Sequence, residues 1–469
     1  MPHTHAAQAA AGHHRHPLAA LRSQAGYSHG QYARLVADTH ARLGYGQMAA
    51  RREKVARWEA GRAVPELTAQ LAIAHIHAVP EDQVHTRRWP DWLHYANGDC
   101  HQLELSWNSS AVAEAVLDAV DGHESTGQDY LVVTGSAVSS LVDPWMDAML
   151  ERLDKEAACP AHGNVRPGPQ GGPGGDPGYI LEACTRLRTL SGFAKDFSAG
   201  WLVPAAELEL RQLATYLRAD DRAHHPGRVP LLILAAEGLT VCGFTTRLQG
   251  RHVHSQRHHL AALRCATDAG DAELAAAILT LHAGEYLDLK LHEEAAQLLA
   301  AVGTLLRHYA RPVDPALVAL QHAQLGRVHA LRGDDLGRKR AMVEGRRALR
   351  ASSTDELAIL PVRTESWLSL VEGVTQLDMG RPDCAIKHFA PVLSEPTLEL
   401  PPSVRALYLL RAGEAQLALG DTAAGEATLE QATALLGGVQ LDATERIWKA
   451  TRAPLTSPAA ERRAERRAR

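Results

Sequence analysis

The pentapeptide G-Y-S-H-G, residues 26–30, has the G-x-S-x-G spacing in which a serine can serve as the nucleophile of a hydrolase. That chemistry needs a buried strand that runs into the first glycine and a sheet that places an acid and a histidine nearby. The preceding residues, P-L-A-A-L-R-S-Q-A, instead have apolar residues at helical spacing and a proline suited to a helix start. We therefore predict that Ser28 is not a nucleophile.

Ser28 is followed three residues later by Gln31, which is the S-x-x-Q pattern of a capping box at the start of a helix. Gly26 would then end the preceding helix. The chain has no P-loop, no G-x-G-x-x-G after a strand and no H-E-x-x-H. We therefore predict a protein that is not an enzyme and that has no cofactor.

Histidines suggest a second kind of chemistry, because R-H-V-H-S-Q-R-H-H at 251–259 places His254 and His258 one helical turn apart, as in a pair of metal ligands. No neighbouring cysteine or carboxylate completes such a site, and Arg251 and Arg257 disfavour a cation. We predict a polar helix face here and no metal site.

A third candidate is the cationic stretch R-R-E-K-V-A-R-W-E-A-G-R-A-V-P, residues 51–65. Val55 and Trp58 lie three apart and should face the interior of the protein together. Gly61 and Pro65 should end the helix. From Arg15 to Pro65 there are nine Arg or Lys and three acidic residues, whereas the whole chain has a formal net charge of −5. A local excess of +6 on an acidic protein is typical of nucleic-acid binding, although a solvated charged face gives the same pattern.

The elements that must position these residues are helices, since alanine and leucine dominate and Phe, Tyr and Trp make up only 5% of the 469 residues. Six widely spaced cysteines indicate a reduced cytosolic protein rather than disulfides or a zinc site. The start M-P-H-T-H-A-A-Q is not a signal peptide, and the apolar stretch at 130–142 is shorter than a membrane span. We predict a cytoplasmic protein with no membrane partner.

Composition divides the chain into six segments. We predict a disordered His/Ala-rich tail, a helical DNA-binding module, a helical connecting region, a Gly/Pro-rich linker, a helical repeat domain and a C-terminal tail. Their ranges are 1–16, 17–98, 99–158, 159–178, 179–437 and 438–469. In the module, Trp89 and Trp92 could stack on bases, but we predict that they pack the module against the rest of the protein.

Glycines recur in pairs in the second half of the chain: Gly326 with Gly333, Gly373 with Gly380 and Gly413 with Gly420, always seven residues apart. The first glycine of each pair would let a second helix approach closely, and the second would end its helix in a left-handed cap. Small and apolar residues such as Ala385 and Phe389 follow on the next helix. An earlier copy surrounds Ala283, Tyr286, Ala295 and Leu299. The pattern predicts irregular tetratricopeptide-like helix pairs that form an α-solenoid. The short helices and tight turns before it predict a helix-turn-helix bundle, so we expect an all-α fold.

The stretch V-A-R-W-E-A-G-R-A-V-P resembles the end of the recognition helix in lambda-repressor-like, XRE-type regulators. Together with the repeats, it resembles large actinobacterial regulators of differentiation and secondary metabolism. The resemblance implies that Arg52, Glu53 and Arg57 read bases and that Lys54 and Arg62 contact phosphates. It also implies a sequence-specific, nucleoid-associated transcriptional regulator, more often a repressor, that binds double-stranded DNA as a homodimer, with a peptide or protein effector on the repeat domain.

The chain departs from that family where A-D-T-H-A-R-L-G-Y-G-Q-M-A-A replaces a short turn before the recognition helix. The cap position also holds Arg51 rather than serine or threonine. Either the second helix is extended and the turn looped out, or the DNA-binding geometry is altered. The alternative function is an interaction adaptor that has repeats and a degenerate helix-turn-helix without DNA binding.

Overall fold

The computed structural model describes residues 16–97, 101–121, 133, 135–158, 182, 185–186, 189, 199–218, 227–309, 311–350, 357, 359–360, 364–394 and 400–435. These residues form helices and turns and contain no strand, which confirms the all-helical prediction. Residues 1–15 of the predicted N-terminal tail, the linker 159–178 and the tail 438–469 lie outside the described residues.

Residues 17–97 form a bundle of short helices around one hydrophobic core. Buried side chains from each of these helices, among them Leu18, Tyr32, Ile73 and Trp92, make up this first core. The helices are α1 (Pro17–Gln24), α2 (His29–Arg42), α3 (Arg52–Glu59), α4 (Leu67–Ile76), α5 (Glu81–Thr86) and a 3₁₀ helix (Asp91–Asn97).

The predicted capping box is present at the start of α2. The backbone amide of Gln31 donates to Ser28 Oγ at 3.3 Å. The backbone amide of Ser28 donates to the Gln31 side-chain oxygen Oε1 at 2.8 Å. Gly26 follows α1 with φ +74°, the left-handed conformation expected where a helix ends. Ser28 is therefore used by the backbone of α2, as its spacing to Gln31 indicates.

The remaining helices share a second, larger core. Two helices from the segment predicted as a connecting region contribute to it through Val116, Ala119, Trp145 and Met149. The helices are α6 (His101–Glu104), α7 (Val112–Asp121), α8 (Ser136–Ala158), α9 (Ala199–Leu217), α10 (Arg228–Leu248), α11 (His252–Ala269), α12 (Ala272–Asp288), α13 (His292–His308), α14 (Pro315–Leu331), α15 (Asp335–Leu349), α16 (Glu365–Asp378), α17 (Pro382–Ser394), α18 (Pro402–Ala418) and α19 (Thr422–Leu435).

From α10 onward the helices pack as five consecutive hairpins, α10/α11 to α18/α19. In each hairpin the first helix is followed by a residue with positive φ. The backbone amide of the next residue donates to the carbonyl five residues before it. These two features define a Schellman cap. Gly333, Gly380 and Gly420 occupy this position as predicted, with φ between +70° and +88°. Gly250 and Lys290 occupy it in the first two hairpins. Lys290 is therefore the one residue other than glycine among the five caps.

The earlier glycine of each pair lies where the second helix comes close. A Cβ at Gly326, Gly373 or Gly413 would stand 2.8 to 3.2 Å from a side chain sixteen residues later, which is shorter than normal van der Waals contact. These three partners are Met342, Phe389 and Leu429. The close approach that the glycine pairs predict is therefore confirmed, and Ala283, Tyr286, Ala295 and Leu299 of the earlier copy are all buried.

Replacing Gly373 with alanine should lower the free energy of unfolding by about 1 kcal/mol. Overpacking against the rigid Phe389 ring costs about 1–3 kcal/mol, and the better helix propensity of alanine offsets about 1 kcal/mol of that. Gly30 is the matched control, because it is helical and has nothing within 4 Å of its Cβ position. Gly30→Ala should leave stability unchanged or slightly raised in chemical denaturation. Equal effects of the two variants would contradict the packing role of Gly373.

The polar helix face predicted at 251–259 is wrong, because every residue of α11 is buried. Helices α6, α7, α8, α10 and α12 pack around α11 on its several sides. Its polar side chains are covered by other polar groups. His252, for example, pairs with Glu285 of α12, and His258 lies 3.2 Å from Glu207 of α9.

Arginine and aspartate alternate along the first helices of successive hairpins, and we call this series the Arg–Asp ladder. Asp288 lies between Arg247 and Arg327, with Nη2 of Arg327 at 2.9 Å. Asp378 lies between Arg327 and Arg411, at 3.1 and 2.9 Å. Each carboxylate therefore joins the hairpin before it to the hairpin after it. The arginines hold the pKa of Asp288 and of Asp378 below the usual range despite the opposing effect of burial.

One helix in the described part of the chain, α10, is long and apolar enough to cross a membrane by length and composition. Its most apolar window is 72% buried inside the protein. It packs against α11 as the first helix of the first hairpin.

Candidate nucleic-acid interface

Helix α3 is held to the first core by Val55 and Trp58, which are buried as their spacing predicts. The two side chains lie three residues apart and therefore on one side of the helix. The positive φ of Gly61 follows the end of α3. The helix has eight residues, so it is about 12 Å long.

A buried carboxylate fixes the orientation of α3. Glu59 Oε1 accepts from Arg22 Nε at 2.6 Å, and Glu59 Oε2 lies 3.0 Å from Arg22 Nη2 and from His29 Nε2. Arg22 also donates to the carbonyl of Tyr27, in the turn between α1 and α2, at 2.6 Å. Glu59 therefore ties α3 to both preceding helices. The sequence pattern did not single out this residue, because its partner lies 37 positions away.

The opposite side of α3 faces solvent and contains the residues predicted to read bases. Arg52, Glu53 and Arg57 are all exposed. At 100° per residue, Glu53 and Arg57 lie nearly opposite Val55, so they form the centre of the outward face. The residues predicted to contact phosphates, Lys54 and Arg62, are exposed as well.

The charged groups of this face are not equivalent. Arg52 Nε donates to Glu53 Oε1 at 3.0 Å, in a pair whose side chains are 77% and 66% exposed. A backbone hydrogen bond, together with that from Arg52, lowers the pKa of Glu53. Among the described residues, neither Lys54 nor Arg57 has an ion-pair partner. Arg57 is therefore available to a ligand without breaking an internal bond.

Ala56 is exposed on the side of α3 between Arg52 and Glu53, and sequence reasoning did not select it. Its methyl group is the smallest side chain on the outward face of α3, so it leaves room for close approach of a partner. A residue with this property could have been found from the helical spacing, since Ala56 lies about 100° from Val55.

The residues before α3 differ from the short turn of the regulators that the chain resembles, and the structure shows how they fold. Helix α2 continues to Arg42, and a nonhelical connection, residues 43–51, leads to α3. The long stretch that the sequence indicates before α3 is therefore present. Arg51 occupies the N-cap of α3 and makes no side-chain cap hydrogen bond.

Trp89 and Trp92 belong to the first core rather than to a contact with the rest of the protein. Trp92 is fully buried and donates from Nε1 to Gln70 Oε1 at 3.1 Å. The Trp89 ring packs against the Trp92 ring with centroids 5.6 Å apart. The Trp92 ring, being buried, is not placed as a platform for bases.

The first core should lose stability between pH 6.5 and pH 4 because of His77. Burial lowers the pKa of His77 to about 4, and Tyr32 Oη lies 2.8 Å from His77 Nε2. The unfolded chain has the higher histidine pKa, so it binds more protons in this window and the loss amounts to about 3 kcal/mol. Thermal melts of His77→Gln should show a smaller dependence on pH than those of the parent. The same change at exposed His75 is the matched control, and an equal slope in the parent and His77→Gln would contradict the assignment.

Comparison with protein-family models, with curated proteins and with solved structures finds no match to this chain.

Proposed function

We propose that this protein is a sequence-specific DNA-binding transcriptional regulator in which α3 enters the major groove. The observation that carries this proposal is the geometry of α3: one side anchored by Val55, Trp58 and Glu59, the other a free cationic surface. An α-helix with its side chains is about 10–12 Å in diameter, which fits the major groove, about 12 Å wide.

Within the groove, Arg57 and Arg52 would reach base edges, since the guanidinium fork pairs with guanine O6 and N7. Glu53 would accept from the cytosine amino group, and the methyl of Ala56 would contact thymine. Because Arg52 is bonded to Glu53, these two residues would act as one unit against adjacent base pairs. Each good base contact discriminates by about 1–3 kcal/mol.

Lys54 and Arg62 would contact phosphates on either side of the groove. Phosphate contacts set the register of the helix and release counterions, so affinity should fall as salt rises. The formal excess of +6 between Arg15 and Pro65 supports this role. A single small module binds weakly, so we expect a homodimer on paired half-sites.

The five hairpins would supply the dimer surface and the site of a peptide or protein effector. Stacked helix pairs present extended surfaces of the kind that tetratricopeptide repeats use for partners. The Arg–Asp ladder joins these hairpins, so a partner bound at one of them could alter the position of its neighbours. By resemblance, repression of differentiation or secondary metabolism is the favoured outcome, in the cytoplasm at the nucleoid.

Full-length protein should enrich particular genomic fragments, and Arg52→Ala combined with Arg57→Ala should abolish that preference. Two lost base contacts, at about 1–3 kcal/mol each, predict a loss of discrimination of at least about thirtyfold, with nonspecific binding retained. The measurement is recovery of bound fragments followed by gel shifts with the enriched and a scrambled sequence.

Lys54→Ala is the matched control on the same helix. It should weaken binding to both sequences alike and reduce the salt slope by about 1. Unchanged discrimination in the double variant would exclude α3 as the reading helix.

The rival function is an adaptor that binds proteins through the hairpins and not DNA. The connection 43–51 and the uncapped start of α3 favour it, since both depart from the short capped turn of the regulators that this chain resembles. This function predicts a stoichiometric protein partner and no enriched DNA fragment in the same experiment.

A further inference from the structure

Three metal-ligating side chains meet inside the second core, where α11 packs against α12. His259 comes from α11, and His282 and Glu285 lie three residues apart on one side of α12. All three are buried, with the Glu285 side chain fully inaccessible. One donor atom from each lies within 4.8 Å of the donor atoms of the other two.

The distances are close to those of a tetrahedral metal site. His282 Nδ1 lies 3.3 Å from Glu285 Oε2, and His259 Nδ1 lies 3.8 Å from the same oxygen. A tetrahedral zinc ion with bonds of about 2.0–2.1 Å holds its ligand atoms about 3.3 Å apart. Small rotations of the two rings would therefore suffice to bind an ion.

Buried nitrogen atoms in this cluster have no hydrogen-bond partner. Within the described residues, this holds for Nε2 of His282 and Nε2 of His259, while Nδ1 of His282 has only its 3.3 Å contact with Glu285. A buried polar atom without a partner costs about 1–3 kcal/mol, so such atoms in a native core call for a ligand. Nδ1 of His282 and Nδ1 of His259 face the Glu285 carboxylate, and imidazole with carboxylate is a donor set that suits a first-row divalent ion.

Surrounding groups hold the carboxylate and leave room for the imidazole. Ser255 Oγ donates to Glu285 Oε2 at 2.9 Å, and His252 Nδ1 lies 3.0 Å from Glu285 Oε1. Metal-binding carboxylates are usually oriented by such outer hydrogen bonds. A Cβ at Gly243 would stand 2.9 Å from the His259 ring, so glycine provides the space that this ring fills.

The charge of the site also favours a cation. Glu285 is a fully buried carboxylate whose charged neighbours in the described chain are histidines, and no lysine or arginine bonds to it there. Arg247, which acts on His259 through its charge, is paired with Asp288. A divalent ion would compensate the carboxylate directly.

We propose that His259, His282 and Glu285 bind one Zn²⁺ ion, with the Ser255 hydroxyl beside them. The ion would clamp α11 of the first hairpin to α12 of the second, and the three side chains would fill three of its four tetrahedral positions. The prediction of no metal site considered His254 and His258 on one helix. The ligands proposed here come from two helices.

The test uses full-length protein with His3, His5, His13 and His14 replaced by alanine, so that the N-terminal histidines do not contribute. After removal of metal with a chelator, the protein is titrated with Zn²⁺ and, separately, with Co²⁺. We expect one equivalent of either ion per chain, the intense visible absorption of tetrahedral Co²⁺, and a rise in Tm with Zn²⁺. Bound metal well below one equivalent, or a Co²⁺ spectrum of octahedral type, would overturn the proposal without any further variant.

The ligand assignment is tested with His282→Asn combined with Glu285→Gln, which should lose the Co²⁺ spectrum and the Tm response. Exposed His308→Asn is the matched control and should keep both. Full binding by the double variant would refute these ligands. If the double variant does not fold, the single change Glu285→Gln is used instead, and an unchanged Co²⁺ spectrum would again refute them.

Discussion

Replacing Asp378 with asparagine is expected to lower the free energy of unfolding of the second core by about 4 kcal/mol. The Asp378 side chain is fully buried and is the meeting point of three cations, Arg327, Arg411 and Lys290. Removing one partner of a buried ion pair costs about 3–5 kcal/mol because the remaining charge is left uncompensated. The loss should be near the middle of that range, because Lys290 loses its carboxylate partner, whereas Arg327 keeps Asp288 and Arg411 keeps Glu414.

The size of this effect follows from the place of Asp378 in the Arg–Asp ladder. It ends α16 and connects α14 and α18, the first helices of the hairpins on either side, while Lys290 comes from the second hairpin. Asparagine keeps the shape of the side chain but not its charge, so a large loss would report electrostatics rather than a cavity. The pKa of Asp378 is lowered in the fold, so this stability is present at neutral pH and is lost in acid.

Chemical denaturation of the full chain at neutral pH is the measurement for Asp378→Asn. Asp147 is the matched control, because it is exposed in the middle of α8, and Asp147→Asn should change stability by less than about 0.5 kcal/mol. The parent and Asp378→Asn should also converge in stability below the carboxylate pKa range. A loss under 1 kcal/mol at neutral pH would show that the ladder does not hold the hairpins together.

Replacing Glu59 with alanine should destabilise the first core by about 3 kcal/mol and abolish DNA binding with it. The carboxylate is 8% exposed and accepts two hydrogen bonds from Arg22, whose own side chain is 12% exposed. Its loss leaves that guanidinium poorly solvated and frees α3 from α1 and α2. The expected cost is lower than for Asp378, because water can reach the Arg22 side chain in part.

The two hydrophobic cores are distinct, so this loss should be local. Hydrogen exchange should accelerate in α1 to α4 and remain unchanged in the hairpins. Glu53→Ala is the matched control, since Glu53 is exposed on the same helix and its interactions are a backbone hydrogen bond and the exposed pair with Arg52. It should change stability by less than about 0.5 kcal/mol. Similar exchange in the two variants would show that Glu59 does not position α3.

Local patterns in the sequence predicted much of the helical structure correctly. The Ser28–Gln31 capping box, the inward pair Val55 and Trp58, and the left-handed glycines at the hairpin turns are all present. Each of these features depends on residues a few positions apart, whose interaction is set by the geometry of a helix or a cap. The glycine spacing also predicted the close approach of the second helix, because a tight turn fixes where that helix returns, and Phe389 makes this contact in the structure.

Contacts between distant segments decided the rest. The partner of Glu59 lies 37 residues away, and the steps of the Arg–Asp ladder span 33 to 51 residues. The histidine stretch has the composition of a solvated face, yet α11 is enclosed by other helices, and the carboxylate of Glu285 reaches it from the next hairpin. Burial depends on which helices pack around a segment, and hydropathy alone does not specify that packing. The sequence therefore determined where helices begin, end and turn, whereas the tertiary structure decided which charges are paired and which side chains are buried.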